Sequence, residues 1–185
     1  CTDKEYRGRG IMSGMLEEAA RLGKARGQKF SILVPAEESL FGYYGSRGYR
    51  TEFYRLHTEL TAGDIEAFEA APAEVFSADE KKIADLRTKT WGNRPLTLIR
   101  DQMSIAFTLA DADWYGDRAL SLRSGGEEGY ALCGQREDGV LIKELCCTPH
   151  MVQSALKAVY TVFHSDRYTV LTPPFLTIGA GSEKK

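Results

Sequence analysis

The 185-residue sequence has no apolar run near the roughly 20 residues that a membrane-spanning helix needs. Its first segment lacks the apolar stretch that marks a secretory leader. Neither charge is in surplus: 24 Lys and Arg stand against 26 Asp and Glu, a net charge of −2. That balance excludes a partner held by bulk electrostatics, so neither nucleic acid nor a membrane surface is expected. The basic residues are spread along the chain, and the local cluster is Arg7 and Arg9 with Lys4 nearby.

Sulfur and imidazole are scarce too. The four cysteines, Cys1, Cys133, Cys146 and Cys147, form no C-x-x-C pair, and His57, His150 and His164 stand apart. Cys146-Cys147 has His150 close by, but a structural zinc takes four ligands. The reading is reduced, mostly buried thiols in a cytoplasmic protein, with no metal. The rest is ordinary globular composition, 43 % hydrophobic and 27 % charged, enough for one domain or two small ones. A chain of this size buries about 70 % of its unfolded surface and needs no disulfide.

What is present gathers at the beginning. Thr2 to Tyr6 reads as the end of a strand and a polar turn, and Gly8 and Gly10 lead into a helix. Glycine permits dihedrals and close approaches that a Cβ blocks. Ile11, Met15, Leu16, Ala19 and Ala20 then recur at helical spacing. The first N–H groups of such a helix have no intrahelical partner, and its dipole adds partial positive charge there. With Arg7 and Arg9 alongside, the turn suits a pyrophosphate. A P-loop is excluded for want of Gly-x-x-x-x-Gly-Lys, and a dinucleotide fingerprint for want of a third glycine at Ser13.

Tyr6-Arg7-Gly8-Arg9-Gly10-Ile11 resembles the acetyl-CoA-binding turn of the GNAT N-acetyltransferases, Arg/Gln-x-x-Gly-x-Gly/Ala before a long helix. Arg7 and Gly10 match, and Met12 stands at the last position. Downstream, Glu37 to Tyr49 resembles the family's Phe-Tyr-x-x-x-Gly-Phe segment, with Tyr43, Tyr44, Gly48 and Tyr49 on the pattern. The resemblance implies acetyl-CoA held by the Thr2 backbone and by Arg7, Gly8, Arg9, Gly10, Ile11 and Met12. It implies Tyr44 as the general acid, since a phenol's pKa near 10 suits donation to a departing thiolate. Tyr43 is expected to pack in the core. No base is identifiable; Glu37 and Glu38 read as solvated charges. The domain's earlier strands and helices are expected before residue 1, so the chain is expected to be N-terminally truncated.

In order, the spacing predicts a helix over 11–26 capped by Gly27, a strand buried on both faces at Phe30–Val34, a short helix over 38–45, and a β-rich stretch from Tyr49 to Leu60. Residues 1–60 are read as the C-terminal half of the cofactor-binding domain and 61–76 as a linker with a weak helix. Residues 77–176 follow, with a flexible tail at 177–185. Ser77 to Glu80 reads as a capping box for a helix to Trp91. Pro95 precedes a second helix with Leu96, Ile99, Met103 and Phe107 on one side. Three strands at 119–123, 129–133 and 140–145 are separated by hairpin signals, then come a helix from Pro149 to His164 and a strand at 167–171. Trp91 and Trp114 read as core aromatics.

The order helix, helix, three strands, helix, strand resembles a second, degenerate GNAT copy, as in tandem proteins of this family. Where the first part has Arg7 to Met12, the second has Cys147-Thr148-Pro149-His150-Met151, without glycine and with one donor lost at Pro149. This copy is expected not to bind CoA. The fold class expected is α/β with a mixed sheet. The activity implied is acetyl transfer from acetyl-CoA to a primary amine of a small molecule or peptide. The alternative is a non-catalytic acyl-CoA-binding or regulatory module, motivated by Met12 and the degenerate second half. Association with further copies of the chain is left open.

Overall fold

The computed structural model describes residues 2–77, 79–94 and 97–179 and the backbone of residues 183–184. The chain divides into two units, residues 1–50 and 51–185. The first holds a 3₁₀ turn (Lys4–Tyr6), helix α1 (Ile11–Ala25) and the short helix α2 (Ser39–Gly45). α1 ends as its sequence predicts. Gly27 takes φ 76°, its N–H bonds the Lys24 carbonyl, and the Gln28 N–H bonds the Gly23 carbonyl, both at 3.0 Å. That pairing satisfies carbonyls left over at the helix end.

The expected strand at Phe30–Val34 does not form. Phe30 is 86 % and Val34 80 % exposed, and no strand lies among the described residues of the first unit. A strand exists only with a ladder partner for its N–H and C=O groups, and apolar sequence supplies none. Likewise only the last part of Tyr49–Leu60 is a strand.

The second unit is built on one sheet. Its strands are β1 (Leu56–Thr61), β2 (Glu74–Phe76), β3 (Arg118–Ser124), β4 (Glu127–Arg136), β5 (Gly139–Cys146), β6 (Arg167–Thr172) and β7 (Glu183–Lys184). They lie in the order β2-β3-β4-β5-β6-β1-β7. All neighbours are antiparallel except β5 and β6, paired from Val140↔Tyr168 to Ile142↔Val170. The expected meander of three strands is present, turning at Gly125-Gly126 and at Glu137-Asp138. β1 pairs with β6, from Leu56↔Thr172 to Thr61↔Arg167, so this strand belongs to the second unit's sheet. The segment read as a linker begins with helix α3 (Ala62–Glu66), capped reciprocally by Thr61 and Asp64. Within the tail read as flexible, Glu183 and Lys184 pair with His57 and Leu56, while residues 180–182 and 185 lie outside the described residues.

Alternation along the strands sorts side chains to two faces. Leu120, Leu122, Ala131, Cys133, Val140 and Ile142 pack with Ile65 of α3 and with Val152, Ala155, Leu156 and Val159 of helix α6 (Val152–Phe163). On the other face Tyr130 and Cys146 pack with Ile83, Leu86 and Trp91 of helix α4 (Glu80–Trp91) and with Ile105 of helix α5 (Gln102–Trp114). α4 is capped by Asp79, whose carboxylate accepts from the Lys82 N–H at 2.8 Å, not by Ser77; Ala78 lies outside the described residues. The second expectation for this region is also corrected. α5 starts at an Asp101 cap, and Ile99, Met103 and Phe107 face solvent. Pro95 and Leu96 lie outside the described residues. Trp91 is in the core, edge-on to Phe175, whereas Trp114 is exposed.

Two buried polar groups tie the second unit together, one across its layers and one within the sheet. Arg87 of α4 is 7 % exposed; its Nε donates to Glu144 of β5 at 3.0 Å, and the Tyr130 hydroxyl donates to the same carboxylate. At the start of β3, the buried Asp117 meets Arg136 of β4 and Lys143 of β5, each at 2.5 Å. Gly134 makes room for that carboxylate, since a Cβ there would sit 2.0 Å from Asp117 Oδ1. Burial pushes the Asp117 carboxyl up, but the Lys143 and Arg136 charges beside it outweigh this and hold it below the usual carboxylate range. Because the folded-state value is the lower one, Asp117 stabilises the fold above the ordinary carboxylate range and loses that contribution as pH falls through its depressed value.

Two outcomes are expected. Gly134→Ala should cost about 2–4 kcal/mol in urea unfolding, because the added methyl displaces a buried carboxylate from both cations. Asp117→Asn should flatten the acid limb of the stability–pH curve; an unchanged limb would show that another carboxylate dominates it.

Candidate active site

The residues nominated by the sequence lie in the first unit. Gly8 and Gly10 both adopt left-handed backbone, with φ 76° and 75°. Gly10 is the N-cap of α1 and offers no side-chain hydrogen bond to the first turn. Ser, Thr, Asp or Asn would ordinarily occupy that N–H acceptor role. No heavy atom approaches within 4 Å of where a Cβ would stand on either glycine. The turn therefore presents uncapped N–H groups across open space, with no acidic side chain in the first helical turn.

Thr2 and Arg7, both expected at the cofactor, touch each other: Arg7 Nε donates to the Thr2 carbonyl at 3.0 Å. This ties the start of the chain to the glycine turn and leaves the rest of the Arg7 guanidinium outward. The Arg9 guanidinium lies 5.4 Å from the centroid of the Tyr6 ring. Ile11 and Met12 form the first helical positions, and Ile11 is exposed.

α2 and the residues after it bring two side chains to this turn, Tyr43 and Arg47, of which sequence reasoning passed over Arg47. Ser13, in the first turn of α1, accepts from Arg47 Nη2 at 2.7 Å and meets the Tyr43 hydroxyl at 3.3 Å. The Arg47 guanidinium lies 3.5 Å from the Tyr43 ring centroid, and its Nη1 donates to the Tyr43 carbonyl at 2.7 Å. A third arginine thus stands at the opening of α1. Its signal was the spacing of Tyr43 and Arg47, one helical turn apart. Tyr43 is half-buried and pinned to α1 by these contacts; among the described residues of the first unit none is fully buried to form a core around it.

Tyr44 sits between two aromatic neighbours, edge-on to Tyr43 at 5.3 Å and to Tyr49 at 5.7 Å. Its ring is held while its hydroxyl has no hydrogen-bond partner among the described residues. Glu37 accepts from the Ser39 hydroxyl at 2.6 Å, a local contact at the start of α2.

The second unit has no counterpart of this turn. Cys147 and Met151 are buried, Pro149 opens a 3₁₀ turn, and Thr148 donates to Glu127. The free thiols Cys133 and Cys147 are pushed up to about 12 by burial, and Cys146 is raised further by the same cause, so all three stay protonated at neutral pH. A cleft of about 580 Å³ is lined by Tyr115, Gln135, Arg136, Glu137 and Lys143, but its two cations are already paired with Asp117. Among the described residues, no three His, Cys, Asp or Glu side chains gather as a metal site, and no helix is long and apolar enough to cross a membrane.

Comparison with known proteins places this geometry. Residues 1–51, the whole first unit and one residue beyond it, match the family described as acetyltransferase (GNAT) domain. Over its full length the chain is similar in fold to a GCN5-related N-acetyltransferase from Kribbella flavida, with 19 % identity, a TM-score of 0.67 and 49 % of that protein covered. It is similar to a conserved protein of unknown function from Enterococcus faecalis V583, a probable N-acyltransferase, with 18 % identity, a TM-score of 0.71 and 50 % of that protein covered. The chain spans about half the length of these solved structures. No curated protein matches. The mixed α/β fold is thus shared with these two solved structures, and the match to the acetyltransferase (GNAT) domain model lies in residues 1–51.

Arg47→Met should release α2 from α1. Amides of residues 39–45 are expected to exchange several-fold faster with deuterium, and those of the second unit's sheet at an unchanged rate. Equal exchange in α2 would mean the Ser13 and Tyr43 contacts carry no local stability.

Proposed function

We propose that this chain is part of an acetyl-CoA-dependent N-acetyltransferase of tandem GNAT type, acting on a primary amine of a small molecule or peptide. The observation that carries the proposal is the opening turn. Two left-handed glycines deliver an uncapped helix N-terminus, flanked by Arg7 and Arg9, within the segment that matches the acetyltransferase family.

In this reading the first-turn N–H groups of Ile11 and Met12 and the charges of Arg7 and Arg9 hold the pyrophosphate. Met12 is tolerated where the family pattern has Gly/Ala because backbone N–H groups, not side chains, make the contacts. The Thr2 backbone orients the acyl arm. The amine nitrogen attacks the thioester carbonyl carbon, the carbon–sulfur bond breaks, the departing thiolate takes a proton from the Tyr44 hydroxyl, and the proton that the nitrogen sheds passes to solvent, from which Tyr44 is reprotonated. Arg47 adds a further positive charge at the helix opening. The second unit, with Pro149 and a buried Met151 in place of the glycine turn, is a degenerate copy that holds no CoA. A cytoplasmic setting suits its three unpaired buried thiols. No nucleic acid or membrane takes part, in keeping with the net charge of −2.

Calorimetric titration of acetyl-CoA into this chain and into its Gly10→Asp variant tests the binding half. The variant should bind at least about 100-fold more weakly, about 2.7 kcal/mol, because a carboxylate faces the pyrophosphate. Equal binding by both would remove the cofactor from this turn. For the chemical half, Tyr44→Phe should lower kcat about 100-fold or more with KM for acetyl-CoA little changed, and Tyr43→Phe should not. Binding without turnover across a broad amine panel would favour a non-catalytic module.

A further inference from the structure

α5 carries its large apolar side chains on the wrong side for a core helix. Ile105 and Ala112 face inward, whereas Met103, Phe107, Ala110 and Trp114 face out, with Met103 80 %, Phe107 76 % and Trp114 85 % exposed. The outward set is spaced four, three and four residues apart, the spacing of a helix–helix seam. Leu98 and Ile99 extend it before the helix, and Tyr115 after, all exposed. The uncovered surface of these six large side chains is on the order of 900 Å². One side of a stable protein interface buries about 800 Å², and a patch of this size is unusual on a monomer.

We infer that this face is the contact between two copies of the chain, packed with their α5 helices antiparallel about a two-fold axis. The sequence is self-complementary in that direction. Antiparallel pairing sets Met103 against the second copy's Trp114, a favourable sulfur–aromatic contact. It sets Phe107 over the second copy's Ala110, large against small, so that the helices approach closely. Asp111 falls opposite Ala106 and Asp113 opposite Ser104, so no acid meets an acid. Parallel pairing would stack each aspartate on its own copy. Arg100, held by the Thr108 hydroxyl at 3.2 Å, lies before the N-terminus of one helix and so beside the other's C-terminal end, where the dipole favours a cation.

Sedimentation velocity of the 185-residue chain across a wide concentration range tests this. The expected result is a species of twice the chain mass. Phe107→Glu and Ala110→Lys, both at exposed positions, should each give a monomer with unchanged far-UV circular dichroism. Together in one chain they should restore the dimer, because the antiparallel register places the two new charges opposite each other across the axis. A chain that is monomeric throughout overturns the proposal. So does a dimer that survives Phe107→Glu, or a folded double variant that stays monomeric.

Discussion

A parallel strand pair cannot be closed by a tight turn, and β5 and β6 are parallel. The chain must leave β5, cross a face of the sheet and return, and α6 is that crossing. Everything in the second unit is arranged around it. Val152, Ala155, Leu156 and Val159 bury the crossing helix on one face. The other face is left for α4 and α5. β6, once placed, offers its far edge to β1, which arrives from far earlier in the chain and pairs with it residue for residue. β1 in turn takes β7.

The β5–β6 pairing is brief. It runs from Val140 to Ile142 only, and the remainder of β5 pairs with β4 alone. The end of β5 carries Glu144, which binds the α4 layer through Arg87, and Cys146, which is buried against that same layer. The chain then turns through Cys147 to Met151. Apolar burial and a proline occupy this turn, whereas the turn before α1 is open, glycine-rich and positively charged. The two turns each lead into a helix of comparable length, yet only one can present free N–H groups to an anion. The difference is one of side chains and backbone donors rather than of architecture.

In the first unit the organising contact is Ser13. It joins the opening of α1 to α2 through Arg47 and Tyr43, and so adds a third arginine to a helix terminus that Arg7 and Arg9 precede in the chain. Since like charges repel, such a cluster persists where its members have local acceptors: the Thr2 carbonyl for Arg7, the Ser13 hydroxyl and Tyr43 carbonyl for Arg47.

Local signals determined much of this protein by themselves. The glycine turn, α1 with its Gly27 end, the short helix around Tyr43 and Tyr44, the three-strand meander and the Pro149 helix are all read from residues within a few positions of one another. So is the burial of the thiols of Cys133, Cys146 and Cys147. Tertiary structure decided what depends on partners distant in sequence. Phe30–Val34 has strand composition and no ladder partner, so it is not a strand; Leu56–Thr61 has weaker composition and becomes one because β6 receives it. The stripe on α5 has the period of a buried face yet points outward, since period fixes which residues share a face and not which way that face turns. The spacing of Tyr43 and Arg47 hinted that they meet, but the contact of Arg47 with Ser13, 34 residues away, came only with the tertiary structure. Gly134 carried no local meaning until Asp117 came to rest against it.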